Sequence, residues 1–236
     1  HGIRPLQEER NMKETPIYTI PAGYSFVDVF AKVVLVLANG DSAALSRMQI
    51  LLPTRRACRS LRDAFLKLSN GRPTLLPRMH PLGDVDEDEL SMFMAQEIAG
   101  EELSLPPAIS ATRRQFLLTK LIGQRGYGRG IVQDMELARA LAQLMDQTYT
   151  EDLDLKDLPK LVESEAFASH WQVSIEFLSI ISEHWPNILK ELGVIDSADR
   201  RNRLLKNLSE HWQKNAPAHF VIAAGTTGSI PATARL

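Results

Sequence analysis

A single cysteine in 236 residues rules out an internal disulfide framework. Such a chain is held together by burial, and it fits a reducing compartment. No apolar run is long enough to cross a bilayer; Phe30 to Ala38 is too short and is broken by Lys32. No signal-peptide pattern and no internal repeat occur. Charge of one sign is also missing. The net charge is −2, so no global basic field advertises nucleic acid. The six histidines are scattered, without H-E-x-x-H or a nucleophile partnership. What remains describes a soluble, cytoplasmic globular chain with 44% hydrophobic and 24% charged residues. Its length suits one large or two modest domains. It opens on His1 and stops at Leu236 where a helix is starting, and is read as a fragment.

The stretch Arg47 to Lys67 organises the rest. Met48 to Leu52 reads as a strand covered on both faces. Pro53 ends it, and Thr54 can cap the following helix. Ala57, Cys58, Leu61, Ala64, Phe65 and Leu68 share one helical face, which makes Cys58 a core residue rather than a nucleophile. Arg55, Arg59 and Arg62, at i, i+4 and i+7, form a second stripe. Guanidinium forks suit bidentate phosphate contact, although a solvated surface gives the same pattern. From Arg55 to Arg78 there are seven basic residues and one acid, Asp63.

Around this centre, residues 1–15 read as a polar tail or tag. Ile17 to Ile20 reads as a strand, Ser25 as the cap of a buried helix Phe26 to Ala38, and Thr74 to Leu76 as a third strand. Strands alternating with helices predict a parallel α/β sheet. Between residues 84 and 215 the pattern turns helical. Helices are expected over Asp86–Ala99, Thr112–Ile122, Val132–Tyr149, near Leu158, over Trp171–Leu192 with a kink or break at Pro186, and from a cap at Asp196 to about Lys214. A strand returns at His219 to Ala224. The predicted organisation is an α/β core, 16–83 plus 216–236, with an all-helical insertion, 84–215.

Four segments could carry chemistry. The loop Gly23-Tyr24-Ser25 sits where a phosphate loop would, but it lacks the second glycine and the Lys-Ser/Thr pair that cradle phosphates and magnesium. It reads as a degenerate nucleotide loop, a structural turn. Asp84 to Asp88 alternates like a calcium loop but has Glu89 and Ala95 where glycine and glutamate are needed, so helix capping is expected. Gly123 to Gly130 carries Arg125, Tyr127 and Arg129, which could touch nucleic acid; a flexible linker is the simpler reading. The strand end Ala224-Gly225-Thr226 occupies the place of magnesium-binding acids but holds none.

In sequence order, ILLPTRRACRSLRDAFL (Ile50 to Leu66), LLPRMHPLGDVDEDEL (Leu75 to Leu90), LPPAIS (Leu105 to Ser110), EHWPNIL (Glu183 to Leu189) and VIAAGTTGSIPATARL (Val221 to Leu236) resemble the AddB family of the alphaproteobacterial type. These are the B subunits of AddAB helicase–nucleases, which process double-strand DNA breaks for recombinational repair. The resemblance covers about the N-terminal quarter of such a subunit. It implies a degenerate, ATPase-inactive, UvrD-like (P-loop-derived) helicase core with an inserted helical subdomain, a single-stranded DNA path, and a heterodimer with an AddA-type motor subunit. It implies DNA contacts at Thr54, Arg55, Arg56, Arg59, Arg62, Arg78 and His80, the last two on a loop after a strand. No catalytic, metal or cofactor residue is expected here; the family's nuclease and iron–sulfur cysteines belong to a C-terminal domain outside this sequence. A protein-docking scaffold without DNA contact is the competing expectation.

Overall fold

The computed structural model describes residues 17–70, 72–83, 92–94, 97, 105–153, 176–228 and 230–236. The chain divides into two compact units, one of His1–Val85 and Pro217–Thr226, the other of Asp86–Ala216 and Thr227–Leu236. Residues 227–236, assigned above to the α/β core, therefore fall with the helices. The expected tail, the acidic run Asp84 to Asp88, most of the helix expected over Asp86–Ala99, the helix near Leu158 and the start of the helix from Trp171 lie outside the described residues.

The first unit is α/β. It contains α1 (Phe26–Leu37), α2 (Ser42–Arg47), β1 (Gln49–Leu52), α3 (Arg55–Leu68), β2 (Arg78–Pro81) and β3 (Val221–Ala223). The strands form a parallel sheet in the order β2-β1-β3. Gln49 lies opposite Arg78 on one side and Val221 on the other. Every residue of the central strand is buried, as a continuous apolar run in a parallel sheet requires. Ile50 and Leu52 share a core with Phe30 and Val34 of α1 and Leu61 and Phe65 of α3. Each such side chain contributes about 1.5–3 kcal/mol on burial. Cys58 is buried in the same cluster.

Several local expectations are corrected. Residues 17–20 form no strand of the sheet, only an isolated bridge at Tyr18. Ile17 and Tyr18 are exposed and only Ile20 packs against the core, so little burial holds this short segment extended. α1 is not buried all round. Phe30, Ala31 and Val34 are buried, while Val36 is 76% exposed. Ser25 stands at its N-cap position without a capping side-chain bond. Between α1 and β1 an unexpected short helix, α2, is capped by Asp41, which accepts from the Ala43 N–H at 2.8 Å. The third strand is Arg78–Pro81, not Thr74 to Leu76. Pro73 and Pro77 remove two N–H donors and restrict the residues before them, so the ladder begins only after the second proline.

The second unit is helical. Its named helices are α4 (Ala111–Gln124), α5 (Ile131–Thr150), α6 (Trp185–Leu192), α7 (Ser197–Lys214) and α8 (Pro231–Ala234). Ser110 caps α4 through the Arg113 N–H. An isolated parallel bridge joins Ala108 to Ile195. Leu118, Ile122, Leu141, Met145, Ile180 and Trp185 are fully or nearly fully buried in one core. Of the kink or break expected at Pro186, the break does not occur: a π-helical stretch, Ile180–His184, is followed without interruption by α6. Proline has no N–H for the preceding turn and its ring crowds that turn's carbonyl. A wider turn accommodates both and lets the helix continue to Leu192.

Asp196 does not cap α7 with its side chain. The carboxylate is fully buried and turned inward. It accepts from the Trp185 indole at 2.7 Å and the Tyr149 hydroxyl at 3.2 Å. Arg114 Nε lies 2.8 Å from its Oδ1, and Arg114 Nη1 lies 2.8 Å from Asp146. Four helical segments are tied at this one acid. Burial pushes the Tyr149 phenol well above its ordinary range, with Asp196 adding to the effect, so the ring stays a neutral donor.

Candidate nucleic-acid interface

Three parallel strands bring their carboxyl ends to one edge of the sheet, the side where open α/β sheets bind ligands. β1 leaves through Pro53 into Thr54, whose extended backbone starts α3 and whose Oγ1 accepts from the Ala57 N–H at 3.1 Å. That cap satisfies one of the open donors of the first turn. The chain after β2 returns to the same place: Gly83 donates to the Pro53 carbonyl at 3.0 Å. A Cβ at Gly83 would stand 2.8 Å from that oxygen, so only glycine fits. After β3, Gly225 has φ +67, and a Cβ there would meet Phe26 at 3.6 Å and Pro53 Cδ at 3.9 Å. The left-handed backbone and the close approach both suit glycine.

From this edge α3 runs with its core face inward and its arginines outward. Thr54, Arg55, Arg56, Arg59 and Arg62 are all exposed. Among the described residues, no ion pair engages Arg56, Arg59 or Arg62; Asp63 shares their exposed face without bridging to them. The first unit therefore carries a row of guanidiniums whose positive field is only weakly compensated.

Arg78 and His80 are not on a loop beyond a strand. Arg78 is the first residue of β2, paired with Gln49 at the amino end of the sheet. His80 is half-buried opposite Leu51. The shift of the third strand by a few residues carries Arg78 to the edge opposite Thr54. Gly23, Tyr24 and Ser25 lie ahead of α1, with no strand of the sheet before them. Gly23 has φ +95 and open space around it, and Tyr24 is 65% exposed. At the strand end Ala224-Gly225-Thr226, Ala224 is buried and donates to the Leu51 carbonyl at 2.9 Å.

The glycine-rich segment 123–130 is anchored rather than a flexible linker. Arg125 meets the His184 imidazole, and Tyr127 packs edge-on against Phe177 with ring centroids 5.1 Å apart. Asp134 lies beneath it, 8% exposed. The helical unit also has an open cleft of about 640 Å³ near Tyr149, Pro186 and Leu189. Beside it, Asp199 pairs with Arg203 at 2.8 Å and Asp152 with Arg235 at 2.6 Å, and Lys190 also lines the cleft. Among the described residues no three His, Cys, Asp or Glu side chains converge on a metal position, and no helix is long and apolar enough to cross a membrane.

Sequence reasoning missed the Asp196 network altogether. A capping aspartate before a helix reads the same whether it faces solvent or the core, and only its pairing with Arg114, at position 114 of the chain, distinguishes the two. Searched against protein-family models and curated proteins, the chain matches none.

Proposed function

We propose that the first unit guides single-stranded DNA along α3 as a non-catalytic, helicase-like domain of a break-repair helicase–nuclease subunit, alongside a motor subunit that supplies ATP-driven movement. One observation carries this reading: the exposed row of Arg56, Arg59 and Arg62, in no ion pair among the described residues and continuous with Arg55 and Thr54 at the carboxyl edge of a parallel sheet. Guanidiniums bind phosphate oxygens bidentately. A chain of net charge −2 that concentrates such a row on one helix has placed its positive charge selectively. The sequence resemblance to AddB subunits points the same way.

The test is fluorescence anisotropy on single-stranded DNA at several salt concentrations. Each phosphate contact to a single strand contributes about −0.7 to the log-log salt slope. The triple variant Arg55→Ala, Arg59→Ala, Arg62→Ala is expected to flatten that slope by up to about 2 and to weaken binding with little sequence dependence. Arg78→Ala, at the far edge, leaves the slope unchanged. A folded triple variant with wild-type affinity and slope would refute the DNA reading and favour docking of another protein on the same helix.

A further inference from the structure

We propose that the loop before α1 is a base-stacking platform, with exposed Tyr24 as its leading ring and Phe26 two residues further along the chain, and that its ligand is a single strand with unpaired bases. The inference deepens the nucleic-acid reading and rests on it. Tyr24 is 65% exposed and Phe26 41% exposed. Phe26 is held in place by stacking on Phe30, ring centroids 5.8 Å apart and planes 17° from parallel. Its ring lies beside Gly225, in the same contact that includes Pro53. Pro53 leads directly into Thr54 and Arg55, so the aromatic end of α1 and the arginine end of α3 border one edge of the sheet.

The two chemistries are complementary in one ligand. A single strand offers phosphates to guanidiniums and π-faces to aromatic rings, and base–aromatic stacking tolerates any sequence. In a duplex those faces are covered by neighbouring bases, so a stacking ring selects unpaired strands. A triphosphate is a poorer fit to the same loop, because the first lysine after Gly23 is Lys32, within α1. An acidic protein surface would answer the arginines but leave the exposed rings without a partner of matching shape.

The experiment uses the 236-residue protein and two oligomers of equal length and charge, oligothymidylate and its fully abasic counterpart. Stacking of even one base corresponds to about a fivefold or larger gain in affinity. Wild type is expected to prefer the base-bearing strand by at least that factor. Tyr24→Ala should lose much of the preference while keeping its salt slope and circular dichroism spectrum. Tyr24→Phe, which retains the ring, should keep it. Equal affinity of wild type for the two strands, or a Tyr24→Ala variant with the full preference, overturns the platform while leaving the arginine reading intact. Absence of binding to either strand overturns both.

Discussion

The Asp196 carboxylate sits at 0% exposure with Arg114, Trp185 and Tyr149 around it. Burial pushes its pKa above the usual 3.8, against the pull of Arg114 and of the indole and phenol donors. An acid raised in the folded state favours folding fully below its unfolded pKa. That contribution fades as pH rises through the folded pKa. Wild type should therefore lose stability relative to Asp196→Asn as pH is raised from about 4 through the carboxylate range. Arg114 keeps Asp146 as a partner in the variant. Parallel thermal melts across that range check it, and a wild-type advantage that grows with pH would show the carboxylate to be favoured in its charged form. At this scale the sequence was nearly silent. Asp196 reads as an ordinary cap and Trp185 as one of an apolar row at helical spacing, and nothing in the spacing of these two and Arg114 announces that they meet.

Helix and loop are matched at the start of α5. Asp134 lies in the first turn, where an acid complements the helix dipole. Its buried Oδ1 has no hydrogen-bond partner among the described residues. A Cβ on Gly128 would stand 1.9 Å from that oxygen and 3.1 Å from the Asp134 nitrogen. Gly128→Ala must therefore displace Asp134 or the loop, at a cost of about 1–3 kcal/mol. In an Asp134→Ala background the obstruction is mostly removed and the same substitution should cost much less, a coupling that a double-mutant cycle reads directly. Additive effects would show that the loop does not close on Asp134. The π-stretch before Pro186 teaches the same lesson. The proline was visible and some disturbance was expected, but the choice between a break and a wider turn depended on Ile180, Ile181 and Trp185 all having core positions to fill. The α3 stripe, by contrast, was legible because helical geometry alone separates Leu61 and Phe65 from Arg55, Arg59 and Arg62.

In the whole molecule, β3 reaches β1 across most of the chain, and Gln49 donates to the Phe220 carbonyl at 2.9 Å. The carboxyl edge thus gathers three loops and the start of α1, yet neither place where a nucleotide hydrolase keeps its phosphate-binding lysine and magnesium-binding acid holds such a residue. The protein should show no saturable binding of a fluorescent ATP analogue at millimolar magnesium. Stoichiometric binding with hydrolysis would contradict a non-motor role.

The sequence by itself determined the centre of the first unit and the identity of most helices. A buried strand, a capped amphipathic helix and a long run of helical periodicity are local patterns, set by side-chain spacing of two or 3.6 residues. Only the tertiary structure decided which short segments became strands. Four-residue strands carry little local information and form where a neighbour is available. Arg78–Pro81 finds β1, and Ile17 to Ile20 finds no place in the sheet. That same placement set Arg78 at the amino edge and took His80 into the strand, half-buried beside Leu51. The buried acid at Asp196 was likewise decided by packing, because a carboxylate enters a core only where several separate helices deliver its partners together.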